Sequence, residues 1–151
     1  MLYLRVADIE ALERDPDVAG QWFADGDPLD LGRAWHGLHF LLNGSAWGGS
    51  PPLFDAVLGG TPIGDPTTYE PIRFVSQDAV EAVAEALPPV EELVPRFTHR
   101  AMQQAEVYPD EAWTEPDALT SFLLPAYAHL VQLFTDAAAA DEAVLITLDR
   151  E

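Results

Sequence analysis

The chain has 151 residues, no cysteine, and 26 acidic side chains against seven basic ones, all arginine, for a formal charge of −19. That length suits one domain able to bury roughly two-thirds of its unfolded surface. The charge excludes general nucleic-acid binding and docking on anionic membranes, and the missing lysine and cysteine exclude Schiff-base, phosphate-loop-lysine and thiolate chemistry.

In chain order, Leu2 to Val6 reads as a half-buried strand. Asp8 caps a short helix, Ile9 to Arg14, which Pro16 closes. Residues 24–30, ADGDPLD, form a turn-rich approach to the next element. They do not make a calcium loop, because Leu29 takes the third ligand position and the glycine is misplaced.

The best-organised stretch follows, DLGRAWHGLHFLLNG, residues 30–44. Leu31, Ala34, Trp35, Leu38, Leu41 and Leu42 keep the spacing of an amphipathic helix. Asp30 is its expected N-cap, and Asn43-Gly44 its stop. His36, His39 and Asn43 share a polar strip beside the apolar face, with Gly32 in line. Phe40 points nearly opposite the core stripe, so a second covered face is predicted and the helix should be central.

SAWGGSPP, residues 45–52, is a loop carrying Trp47, and Leu53 to Leu58 is a short apolar segment whose type periodicity does not decide. A second loop runs from Gly59 to Pro71 and holds Tyr69. Ile72 to Val75 is a predicted strand, and Ser76 caps a helix over Gln77–Leu87 that Pro88-Pro89 ends. Residues 91–106 are helical but interrupted at Pro95, with Thr98 as a new N-cap. Val107 to Asp110 is a turn. Thr114-Glu115-Pro116-Asp117 resembles a capping box for a long helix reaching Ala139, kinked at Pro125. Ala143 to Leu148 is a buried strand.

No run approaches the roughly 18 apolar residues of a membrane span, and MLYLRV lacks the features of a signal peptide. A cytoplasmic protein is therefore expected.

His36 and His39 could reach one metal from a helix face, but zinc needs three or four ligands, and neither His99 nor His129 stands at a recognised spacing. No metal or cofactor is expected. His39 reads most simply as a hydrogen-bonded structural histidine at the core edge; the sharper reading puts it in a site. That site is a pocket floored by His36, His39 and Asn43 and walled by Trp47 and Tyr69, whose structural alternative is that both aromatics merely cover the core. Arg73, at the end of the second loop, should either pair a buried carboxylate or bind an anionic ligand.

AWHGLHFLLNG, residues 34–44, resembles the W-x-x-L-H-F-x-L-[TN]-G signature of the YfbM-like family of bacterial proteins, a domain of unknown function. Leu53-Phe54-Asp55-Ala56-Val57-Leu58-Gly59-Gly60 resembles its A-V-L-G block. Arg96-Phe97, Ala101-Met102 and Val107-Tyr108-Pro109 are similar to its R-F, A-M and I-Y-P elements, and 143–149 to its closing strand. The chain departs from the family at His36, where some members carry an acid, and in lacking a Gly-rich start. The resemblance implies a compact α+β fold and no particular activity.

The sequence thus predicts a single α+β domain with a small mixed or antiparallel sheet packed against several helices. Functionally it favours a non-enzymatic acidic protein that binds a basic protein partner, as an inhibitor or immunity-type protein does. The alternative is a small hydrolase or transferase, or a small-molecule binder, built on a His39-centred pocket.

Overall fold

Antiparallel pairing between the two ends of the chain makes the centre of the sheet. The computed structural model describes residues 1–64 and 71–148. Strand β1, Leu2–Val6, runs against β5, Ala143–Thr147, in continuous register from Leu2 opposite Thr147 to Val6 opposite Ala143. On the other side of β5 lies β4, Ile72–Val75, with Arg73 opposite Ile146. Two short strands complete the order β2-β1-β5-β4-β3: β2 is Leu29–Asp30 and β3 is Thr61–Ile63. All pairings are antiparallel.

Both faces of this sheet are covered. Tyr3, Val75, Val144 and Ile146 point into the main core, against α3 (Trp35–Asn43), α4 (Gln77–Ala86) and α7 (Leu124–Ala139). Leu4, Val6, Leu145 and Phe74 point the other way, into a smaller cluster with Leu12 of α1 (Ile9–Arg14) and Ala19 and Trp22 of α2 (Val18–Asp25). Burial on two faces explains why residues 143–146 are continuously apolar.

Three local signals behave as the sequence predicts. Asp8, Ser76 and Thr98 each accept a backbone N–H in the first turn of their helices, from Ala11, Ala79 and Ala101. Gly44 ends α3 in the left-handed region at φ 72°, its N–H donating to Phe40 O. The segment 91–106 is divided into α5 (Val90–Leu93), a 3₁₀ turn at Val94–Arg96 and α6 (His99–Gln104).

Elsewhere the structure differs. Asp30 lies in β2 and does not cap α3; its carboxylate accepts the N–H of Gly32, and a 3₁₀ turn over Gly32–Ala34 leads into the helix at Trp35. The turn assigned to 24–30 loses its first two residues to α2. That helix carries Gly20 in its first turn, which weakens its local signal, and it gains from packing on the sheet. β3 falls inside the expected second loop. Thr114 donates to Glu111 O and closes a 3₁₀ turn, so no capping box forms. At the expected kink, a π-helical segment at Ala118–Leu123 precedes Pro125. The continuous helix 118–139 does reach the length and mean hydropathy of a membrane span, contrary to expectation. One face of it is packed into the main core, where Tyr127, Leu130, Phe134 and Ala137 are buried.

Inside α3, Gly37 lets the helix approach its neighbours. A methyl group there would lie 2.7 Å from Leu123 Cδ2 and 2.9 Å from Trp113 Cη2. Gly37→Ala ordinarily strengthens a helix by about 1 kcal/mol, but overpacking of roughly 1–3 kcal/mol outweighs that here. Urea unfolding should show a lower midpoint for Gly37→Ala at unchanged slope; a higher midpoint would mean that α3 moves outward without cost.

Candidate functional site

The polar strip of α3 faces the loop that follows it. His36 and His39 have no solvent exposure, and both ring nitrogens of each are engaged. His36 Nδ1 accepts the backbone N–H of Tyr108 at 2.8 Å, so its proton must sit on Nε2, which donates to Ala46 O at 2.7 Å. In His39, Nδ1 accepts from the Asn43 amide at 3.3 Å while Nε2 donates to Gly48 O at 2.9 Å. Both imidazoles are therefore neutral Nε2–H tautomers. A second proton on His36 would set two donors against each other.

Asn43 completes the staple. Its amide also donates to His39 O at 3.1 Å and reaches Leu53 O at 3.5 Å. Gly49 packs directly on that side chain at φ 150°, and a Cβ there would collide with Asn43 Oδ1. The Ser45 hydroxyl accepts the N–H of Gly48 at 3.0 Å, closing the loop on itself.

The two carbonyls that the histidines hold, Ala46 O and Gly48 O, flank Trp47. Its indole is 61% exposed, yet it lies on the His36 ring, 4.2 Å between centroids. Trp35 also stacks on His36, at 5.1 Å and 23°, and meets Trp47 directly at 6.3 Å, while Tyr108 packs on Trp35 at 5.8 Å. Tyr108 is 43% exposed. Arg33 lies over its ring, 5.4 Å from the centroid, donates from Nε to its hydroxyl at 3.2 Å, and pairs with Glu111. The result is an exposed aromatic platform with a guanidinium at its edge.

Of the residues singled out by sequence, the structure brings His36, His39, Asn43 and Trp47 together. The imidazoles form the sealed underside of a surface where the pocket idea needs an open floor. The groove that includes Asn43 is lined by Phe40, Leu42, Gly44 and Arg96 and contains neither imidazole. Arg73 is engaged elsewhere, donating to Gly59 O at 2.5 Å and reaching Met1 Sδ at 3.5 Å. Tyr69 lies outside the described residues. Sequence reasoning missed Tyr108 and Arg33 as members of the cluster. An aromatic before proline in an exposed turn was the available signal, and the separation of 72 positions between His36 and Tyr108 hid the contact.

Fold and staple together define a single-domain α+β protein whose buried histidines are hydrogen-bonded at both ring nitrogens. The chain belongs to the DUF1877 family, a domain of unknown function, whose model matches residues 2–147. Its fold is similar to that of YfbM from Escherichia coli, a protein of unknown function, with a TM-score of 0.72 at 19% identity, covering 99% of this chain and all of that one. No curated protein matches this chain.

Burial holds the pKa of both His36 and His39 below the free-imidazole value, against the raising effect of their carbonyl partners. The folded chain therefore refuses protons that the unfolded chain accepts. The resulting stability is full above about pH 6.5 and is lost as pH falls toward the depressed folded values, with a limiting slope of about 1.4 kcal/mol per pH unit per ring. Relief of acidic self-repulsion acts oppositely, so the comparison must be with a variant. The stability gap between wild type and His39→Gln should narrow from pH 7.5 to 5.5 in urea melts; a constant gap would show that His39 does not titrate with unfolding.

Proposed function

We propose that this chain is a non-enzymatic interaction protein that docks a basic protein partner on the Trp47 platform. The observation that supports it is Trp47 itself: a mostly exposed indole whose two flanking carbonyls are each hydrogen-bonded by a buried histidine. An exposed tryptophan costs solubility, and holding it in place has already removed most of the ordering entropy that binding would otherwise lose. Tryptophan, tyrosine and arginine are also the residue types that dominate interface hot spots, and Trp47, Tyr108 and Arg33 supply one of each.

Charge argues for the partner's sign. At −19 the surface attracts a basic protein and speeds its encounter, as in an inhibitor or immunity-type protein. The hydrolase alternative needs His39 beside a carboxylate or hydroxyl in an open cleft. Its ring nitrogens meet Gly48 O and the Asn43 amide, out of solvent.

Trp47→Ala removes an exposed ring and should leave the melting temperature within a few degrees of wild type. In affinity capture, wild type should retain a basic protein at 0.1 M salt and release it above roughly 0.3 M, where exposed charge attraction is screened. The variant should bind at least about 30-fold more weakly, the loss expected of a hot-spot residue. Equal capture by both, or capture indifferent to salt, would remove the reading.

A further inference from the structure

The two edges of the sheet are finished differently. β3 presents Pro62 at its middle, and the pairing of Thr61 with Phe74 and Ile63 with Ile72 leaves that proline where a missing N–H does no harm. The other edge is only half covered, because β2 pairs with Leu2 and Tyr3 alone. Along a strand the backbone donors and acceptors alternate sides. Met1 O accepts from Leu31 N across this edge at 3.0 Å, so Met1, Tyr3 and Arg5 turn their backbone groups toward β2. Tyr3 has Leu29 opposite it, whereas among the described residues Arg5 has no strand residue opposite it on that side.

Beside this uncovered stretch runs a groove of about 490 Å³. Leu4 and Val6 form its floor, half-buried Trp22 of α2 a wall, and Asp8 and Asp25 its acidic rim. The Arg5 side chain, the one cation lining the groove among the described residues, is bonded at 2.7 Å to Glu142, just before β5. It therefore leans toward the centre of the sheet. Gly26 lies close against Leu4, and its lack of a side chain keeps the far wall low.

We propose that the outer edge of β1 over Leu4–Ala7 takes an extended basic peptide as an added strand. The unpaired backbone groups of Arg5 supply main-chain hydrogen bonds, alternate apolar side chains of the peptide lie on Trp22 and Leu4, and its lysines or arginines face Asp8 and Asp25. A second copy of this chain is the wrong occupant, since it would bring one charge of −19 against another. This surface is separate from the Trp47 platform and does not depend on it.

The probe is an acetylated, amidated peptide alternating lysine and valine over six residues, titrated into the full isotope-labelled chain. Its counterpart N-methylated at all six residues has no internal backbone N–H to donate to a strand. Saturable shifts should centre on Leu4–Ala7 and the Trp22 indole, exchange of the Arg5 amide should slow at least about tenfold, and N-methylation should weaken binding by about the same factor. Trp47→Ala should bind the peptide unchanged. Equal binding of the N-methylated peptide, or no shifts at β1, overturns the proposal. So does an Arg5 amide already protected in a concentration-dependent dimer without peptide. Shifts confined to Trp47 and Tyr108 would also overturn it while leaving the platform reading intact.

Discussion

Two N–H groups on neutral imidazoles hold this molecule's most unusual surface in place. His36 and His39 sit one turn apart on α3 and reach the carbonyls on either side of Trp47. Both depend on the ring remaining singly protonated, and the opposite nitrogens enforce that by accepting from Tyr108 and Asn43. A buried hydrogen bond of this kind contributes about 1 kcal/mol net, while an orphaned buried partner costs more. Among the described residues every buried side-chain nitrogen and oxygen has a partner. The strip is thus a saturated polar network, which specifies one arrangement of loop on helix.

The rest of the fold supports that arrangement from below. α3 is held against Trp113 and Leu123 through Gly37, and Trp113 is fixed by its indole donating to Val107 O at 2.6 Å. The same Val107-Tyr108 turn supplies the N–H that selects the His36 tautomer. Arg96 donates to Leu41 O at 3.1 Å near the end of α3, where a cation suits the exposed carbonyls. Two buried tyrosines join distant segments, Tyr3 to Ala56 O and Tyr127 to Pro88 O. Burial raises both phenols, Tyr127 to about 12, so neither ionises at ordinary pH.

Acidity and aromatic exposure are complementary in a protein of this kind. A strong like charge keeps copies apart, which offsets the tendency of an exposed indole to drive self-association. In the proposed interaction, the same charge draws a basic partner to a surface whose short-range contacts are already ordered. Long-range attraction and preorganised contact act on different steps, encounter and residence.

The amphipathic period of 31–42, the glycine stop at Gly44, the three side-chain caps and the buried closing strand were all legible in the residues, because each depends on interactions within a few positions. So was the placing of His36, His39 and Asn43 on one strip, which follows from helical geometry alone. β2 and β3 were not legible: two or three residues carry no periodicity, and only a neighbouring strand makes them strands. Nor could the residues say whether the imidazoles met solvent or a covering loop. That was decided when Ala46 O, Gly48 O and the Tyr108 N–H arrived from segments 9 to 72 residues away. The local chain chooses which side chains share a face, whereas packing at a distance chooses what covers it.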